Sequence, residues 1–126
     1  MDESTQVTGE IEFTVGDVFD SNCPSRAVLD HVTSRWGVLV LAALSERTMR
    51  FSELRRRIGG VSEKMLAQTL RTLEAGGFVD REVTPASPPQ VSYSLTTLGA
   101  ELTVHVTGLV GWITDRIPEI QAARTG

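Results

Sequence analysis

Residues 50 to 77, RFSELRRRIGGVSEKMLAQTLRTLEAGG, leave the chain few ways to fold. Phe51, Leu54 and Ile58 fall at i, i+3 and i+7 and make one apolar face, with Arg55, Arg56 and Arg57 off it. Gly59 and Gly60 stop that helix, because glycine enters the left-handed cap conformation at little cost. Ser62 suits the N-cap of a second helix, and Glu63 lies in its first turn, where the helix dipole favours an acid. At about 100° per residue, Met65, Leu66, Leu70 and Leu73 gather on one side. Lys64, Gln68 and Arg71 gather on the opposite side, and Gly76 and Gly77 end the helix. Two short helices joined by a tight GGVS turn have the layout of a helix-turn-helix. The second presents an amine, an amide and a guanidinium on one exposed stripe.

The flanking segments extend that layout. FVDREVT (78 to 84) and QVSYSLT (90 to 96) each alternate with period 2, and PASPP (85 to 89) between them cannot continue a strand ladder. A hairpin directly after the second helix is a wing. RWGVLVLAALSE (35 to 46) is apolar almost all round, as expected of a buried core helix. Asp20, Ser21 and Asn22 are helix-start residues and Pro24 suits the first helical position, so a helix is expected from about Pro24 to Thr33. Thr96 or Thr97 can cap a last helix, in which Leu98, Leu102, Val106, Leu109, Ile113 and Ile117 recur at three- and four-residue spacing. Trp112 adds apolar surface beyond the stripe, more than one small core requires, which points to a partner. Pro118 is expected to bend or restart this helix. The predicted fold class is mainly α with a small β-hairpin wing, an α+β winged helix-turn-helix with N- and C-terminal helices. Its expected divisions are an acidic, partly disordered arm over 1–22, the domain with its C-terminal helix over 23–117, and a tail over 118–126. IEFTV (11 to 15) reads as a short strand or an extended arm.

Charge distribution says more than its total of −4. Residues 1 to 22 hold six acids and no Lys or Arg, whereas residues 23 to 83 hold ten basic and seven acidic residues. The cationic excess coincides with the helix-turn-helix. No apolar run reaches the roughly 18 residues of a membrane span, and the N-terminus lacks a signal peptide's basic and apolar regions. With a single cysteine, this reads as a cytoplasmic protein without membrane contact. His31 and His105 have no partner ligands at metal spacing, so neither a metal nor another cofactor is expected.

The chain resembles the HxlR-type winged-helix transcription regulators, relatives of the MarR group. The resemblance runs over about residues 23 to 112. It rests on Cys23-Pro24, Arg35-Trp36, RFSELRRRIGGVSEKMLAQTLRTLEAGGFVDRE (50 to 82) and PPQVSYSLTTLG (88 to 99). Thr33, Ser34 and Arg35 stand where the family often has glycine and lysine before the tryptophan. The resemblance implies a homodimer in which the N- and C-terminal helices are dimerisation helices, operators with dyad symmetry, and, in some members, sensing of oxidants or electrophiles by a cysteine at the position of Cys23.

The residues themselves carry parallel readings. Lys64, Gln68 and Arg71 suit major-groove readout, since Gln pairs with adenine and Arg or Lys with guanine. Ser62 can hold a phosphate, Arg50, Arg55 and Arg56 suit the backbone, and Arg81 lies on the wing. Leu102, Val106, Leu109, Trp112 and Ile113 are the expected dimerisation residues. Cys23 lies at a helix start near Arg26, a setting that favours the thiolate, although a lone cysteine is as readily a buried core residue. Catalysis by Cys23 needs a base, and His31 is about two turns away. The expected function is that of a dimeric, sequence-specific repressor whose DNA binding changes on thiol modification of Cys23. Control by a small lipophilic ligand, or a winged-helix module that binds protein, are the alternatives.

Overall fold

The structure, a computed structural model, describes residues 16 to 125, which fall into two compact units divided between Ser34 and Arg35. The expected strand or arm at 11 to 15, and most of the acidic arm, lie outside the described residues. In the first unit, α1 spans Pro24–Val32. Its N-cap is Cys23, one residue later than the expected Asp20 to Asn22. Those residues instead form the turn before it: the Asp20 carboxylate accepts the Asn22 N–H at 2.9 Å, and the Asp20 carbonyl accepts the Cys23 N–H at 3.0 Å. Pro24 begins the helix, where a missing N–H costs nothing.

In the second unit, α2 (Arg35–Glu46) packs against the later helices and the sheet, burying Val40, Leu41, Ala43 and Leu44. β1 (Met49–Arg50) leads into α3 (Phe51–Arg57), and α4 spans Glu63–Ala75. Gly60 closes the turn between them at φ +85°, in the left-handed region that an L side chain avoids. Leu54, Ile58, Val61, Leu66, Leu70 and Leu73 are buried beneath the two helices. Met65, expected with them, is 38% exposed: it lies at the edge of an apolar face that Leu66, Leu70 and Leu73 already fill. The wing strands are β2 (Val79–Thr84) and β3 (Gln90–Leu95). The sheet has a third, unanticipated member, because β1 pairs with β3 in antiparallel register, Met49 with Tyr93 and Arg50 with Ser92, giving the order β1-β3-β2.

Helix α5 spans Thr97–Thr125 and continues through Pro118. The boundary expected at residue 117 is therefore not a helix end. Thr96 is its cap, accepting the Gly99 N–H on its hydroxyl at 2.9 Å. Within α5, Thr103 and Val106 are buried and Leu102 is half-buried, whereas residues 111 to 119 are exposed. No single described helix is long and apolar enough to cross a membrane.

Candidate nucleic-acid interface

The exposed stripe of α4 exists because its opposite side is committed to the core. Leu66, Leu70 and Leu73 are each at most 2% exposed, which fixes the helix rotation and leaves Lys64, Gln68 and Arg71 facing solvent. Ser62 caps the helix: its hydroxyl oxygen accepts the Met65 N–H at 3.1 Å. The hydroxyl hydrogen remains able to donate to a phosphate.

Ion pairing divides the basic residues into two groups. Arg57 grips Glu46 with two parallel bonds, Nε to Oε1 at 2.8 Å and Nη2 to Oε2 at 2.7 Å. That hydrogen-bonded contact holds the Glu46 carboxyl below its ordinary pKa and raises that of Arg57. Glu53 caps α3 by accepting the Arg50 N–H at 2.8 Å, and also accepts from Arg47 at 3.1 Å. The backbone bond first, and the Arg47 bond second, lower its pKa. The Arg50 guanidinium lies 3.7 Å from Glu53, and Arg55 lies 3.3 Å from Glu63. Among the described residues, no carboxylate forms an ion pair with Arg56, Lys64, Arg71 or Arg81.

The wing brings two of these together. Arg71 of α4 and Arg81 of β2 line one cleft of about 350 Å³, with Ala67, Leu70, Glu74 and Tyr93 completing its walls. Tyr93 is a lining residue that sequence periodicity does not single out; its register opposite both Met49 and Arg81 places it there. Arg55 and Arg56 line a second cleft with Phe51, Ser52 and Glu63. Arg50 sits in β1 and is the N-cap of α3, so it belongs to the sheet and not to the supporting helix, and it lines neither of these clefts.

The remaining predicted residues lie elsewhere. Cys23 is 2% exposed; its carbonyl accepts the Arg26 N–H at 3.0 Å, and the Arg26 guanidinium donates to the Phe19 carbonyl at 3.1 Å. Leu109, Trp112 and Ile113 are exposed, at 53%, 57% and 41%. Val106, expected among them, is 8% exposed, so its side chain belongs to its own chain's core. His31 and His105 are both exposed, and the described residues contain no cluster of three or more His, Cys, Asp or Glu suited to a metal.

A helix-turn-helix with a hairpin wing and, on its second helix, an exposed stripe whose cations have no ion-pair partner among the described residues defines a winged-helix transcription regulator. A family model described as HxlR-like helix-turn-helix matches residues 31 to 121, and the chain belongs to that family of DNA-binding regulators. It is 54% identical over 120 residues to the HTH-type transcriptional regulator YtfH of Escherichia coli (strain K12), covering 95% of both chains. A solved structure of the transcriptional regulator ytfH from Salmonella typhimurium is 54% identical, with a TM-score of 0.84 over 88% of this chain and 99% of that one. The redox regulator HypR, solved in its oxidised form, is 35% identical, with a TM-score of 0.69 over 74% of this chain and 96% of its own.

Proposed function

We propose that this regulator acts as a homodimeric repressor on a dyad-symmetric operator, its two recognition helices entering successive major grooves. The reading rests chiefly on the exposed Lys64, Gln68 and Arg71 stripe, of which Lys64 and Arg71 are cations without ion-pair partners among the described residues. On this reading Gln68 and Arg71 read base edges, while Arg56, Arg81 and the Ser62 hydroxyl hold phosphates. Arg50 and Arg55 contribute less, because each must first loosen its contact with Glu53 or Glu63. Leu109, Trp112 and Ile113 form the dimer contact on α5, with Leu102 at its margin. Exposed Val28 and Leu29 of α1 suit the same role at the other end of the chain. The test is binding to promoter DNA upstream of the protein's own gene. Lys64→Ala and Arg71→Ala should each weaken specific binding; unchanged affinity in both would favour a protein-binding module.

Cys23 is the proposed responsive group. Its place at the N-cap of α1 supports this, as does the likeness to HypR, which is described as a redox regulator. Burial makes the reaction conditional: an oxidant or electrophile reaches the sulfur only through a local opening of the structure around it. A second reading, control by a small lipophilic ligand, is favoured by a different observation. A cleft of about 250 Å³ is walled by Leu39, Ala42, Ala43, Ile58 and Val110, with the Glu46–Arg57 pair beside it. Operator release by a thiol oxidant should disappear in Cys23→Ser. Persistence of release in that variant would shift the assignment to the cleft.

A further inference from the structure

We infer that Thr96 is a positioning residue that transmits the orientation of α5 to the recognition helix α4. The inference rests on the homodimer reading and adds a mechanical element to it. Where α4 ends, the chain turns at Gly77, whose φ is +85°. The Phe78 N–H donates back to the Leu73 carbonyl at 3.0 Å, and Val79 then opens β2. The entry to α5 is bonded to the same turn. Thr96 N–H donates to the Phe78 carbonyl at 3.1 Å, and the Thr96 hydroxyl donates to the Gly77 carbonyl at 2.7 Å. That hydroxyl also accepts the Gly99 N–H at 2.9 Å. Gly99 lies so close that a Cβ built on it falls 2.0 Å from the Phe78 carbonyl oxygen. One hydroxyl thus ties the first turn of α5 to the turn that follows α4, two residues past its last residue Ala75, with both its donor and an acceptor position in use.

Such a junction has little slack. A tilt of α5 must carry the C-terminal end of α4 with it or break these bonds. In a dimer built on α5, the angle between α5 and α4 sets the separation of the two recognition helices, which must match grooves roughly 34 Å apart. A stiff junction makes that separation a fixed property of the dimer. A loosened one lets each reading head swivel and tolerate other spacings.

The experiment compares wild type, Thr96→Val and Thr96→Ser. The duplexes carry two half-sites, taken from sequences selected by the wild type, at the selected spacing and at spacings two base pairs shorter and longer. Thr96→Val keeps the shape and loses the hydroxyl; Thr96→Ser keeps the hydroxyl. Wild type and Thr96→Ser should prefer the selected spacing by on the order of tenfold or more, the discrimination usual for an imperfect site. In Thr96→Val the preference should fall to about threefold or less, while the protein still sediments as a dimer and binds a single half-site as before. If the threonine merely stabilises the fold, Thr96→Val would lower the melting temperature and leave the spacing preference intact, and that result overturns the inference. Hydrogen exchange on the wild type gives a check that no variant's instability can spoil. Operator binding should slow exchange at the amides of Thr96 and Gly99, and unchanged exchange there overturns the coupling. Sedimentation without DNA reads the dimer separately: a monomeric wild type would remove the homodimer reading and this inference together.

Discussion

A β-carbon at Gly99 would lie 2.0 Å from the Phe78 carbonyl oxygen and 2.9 Å from its carbonyl carbon, and neither atom can swing aside as a side-chain tip would. Gly77 differs, with open space around it but a φ of +85°. Gly59 has neither restriction. Substitution by alanine should therefore rank the three. Gly99→Ala should cost about 3 kcal/mol or more through forced backbone movement. Gly77→Ala should cost roughly 1–2 kcal/mol for the left-handed conformation, and Gly59→Ala within about 0.5 kcal/mol of nothing. Urea unfolding of the three variants measures this, and a Gly99→Ala protein as stable as Gly59→Ala would refute the close packing. The glycines that end helices are legible in the sequence, because a helix stop is a local event. Gly99 is not, since its obstacle lies 21 residues earlier and only the folded chain brings them together. Cys23 is similarly half-legible. Its place at a helix start can be read from its neighbours, but its burial cannot.

At the scale of elements, the helix-turn-helix is legible because its apolar periodicity spans two helices and its turn is punctuated by glycine. β1 is not, since two residues carry no period, and only pairing with β3 makes Met49 and Arg50 a strand. Ion pairing is also hidden. Arg55, Arg56 and Arg57 are consecutive, yet Arg57 is held by Glu46, Arg55 pairs with Glu63, and Arg56 has no ion pair among the described residues. These differences should appear in the salt dependence of operator binding. Arg56→Ala should reduce the slope of log affinity against log salt by about 0.9 for each phosphate it ceases to neutralise. Arg57→Ala should leave the slope nearly unchanged; an equal reduction would show that Arg57 leaves Glu46 when DNA is bound. The Glu46–Arg57 pair also has a signature without DNA. Because folding lowers the Glu46 pKa, its contribution to stability is present above the unfolded value near 4.5 and is lost as pH falls through the lower folded value. Wild type should exceed Glu46→Gln in stability at neutral pH by a small margin, the pair being exposed, and that margin should close as pH falls through the lowered folded value of Glu46. Urea titrations at neutral and acidic pH would show it, and a margin that widened on acidification would reverse the sign.

Across the whole molecule, the 29 residues of α5 divide into a stretch buried in the chain's own core and an exposed one. The amphipathic stripe in the sequence does not say where the core ends and exposed surface begins, because apolar side chains occupy both stretches. Burial divides them. Thr103 and Val106 face the core of their own chain, whereas Leu109, Trp112 and Ile113 are exposed one to two turns later. The two groups should therefore respond differently to substitution. Val106→Ala removes packing inside each chain and should lower unfolding free energy by roughly 1–3 kcal/mol, with little effect on association once the protein is folded. Ile113→Glu places a charge on the exposed stripe and should leave the folded chain nearly as stable. If that stripe is the dimer contact, the charge must lose its hydration in the interface, so association should weaken by at least about tenfold. Cooperative binding to a two-half-site operator should weaken with it. Sedimentation at several concentrations, paired with thermal unfolding, separates the outcomes. If Ile113→Glu dimerises as tightly as wild type, the dimer interface lies elsewhere, and the exposed Val28 and Leu29 of α1 become the next surface to charge.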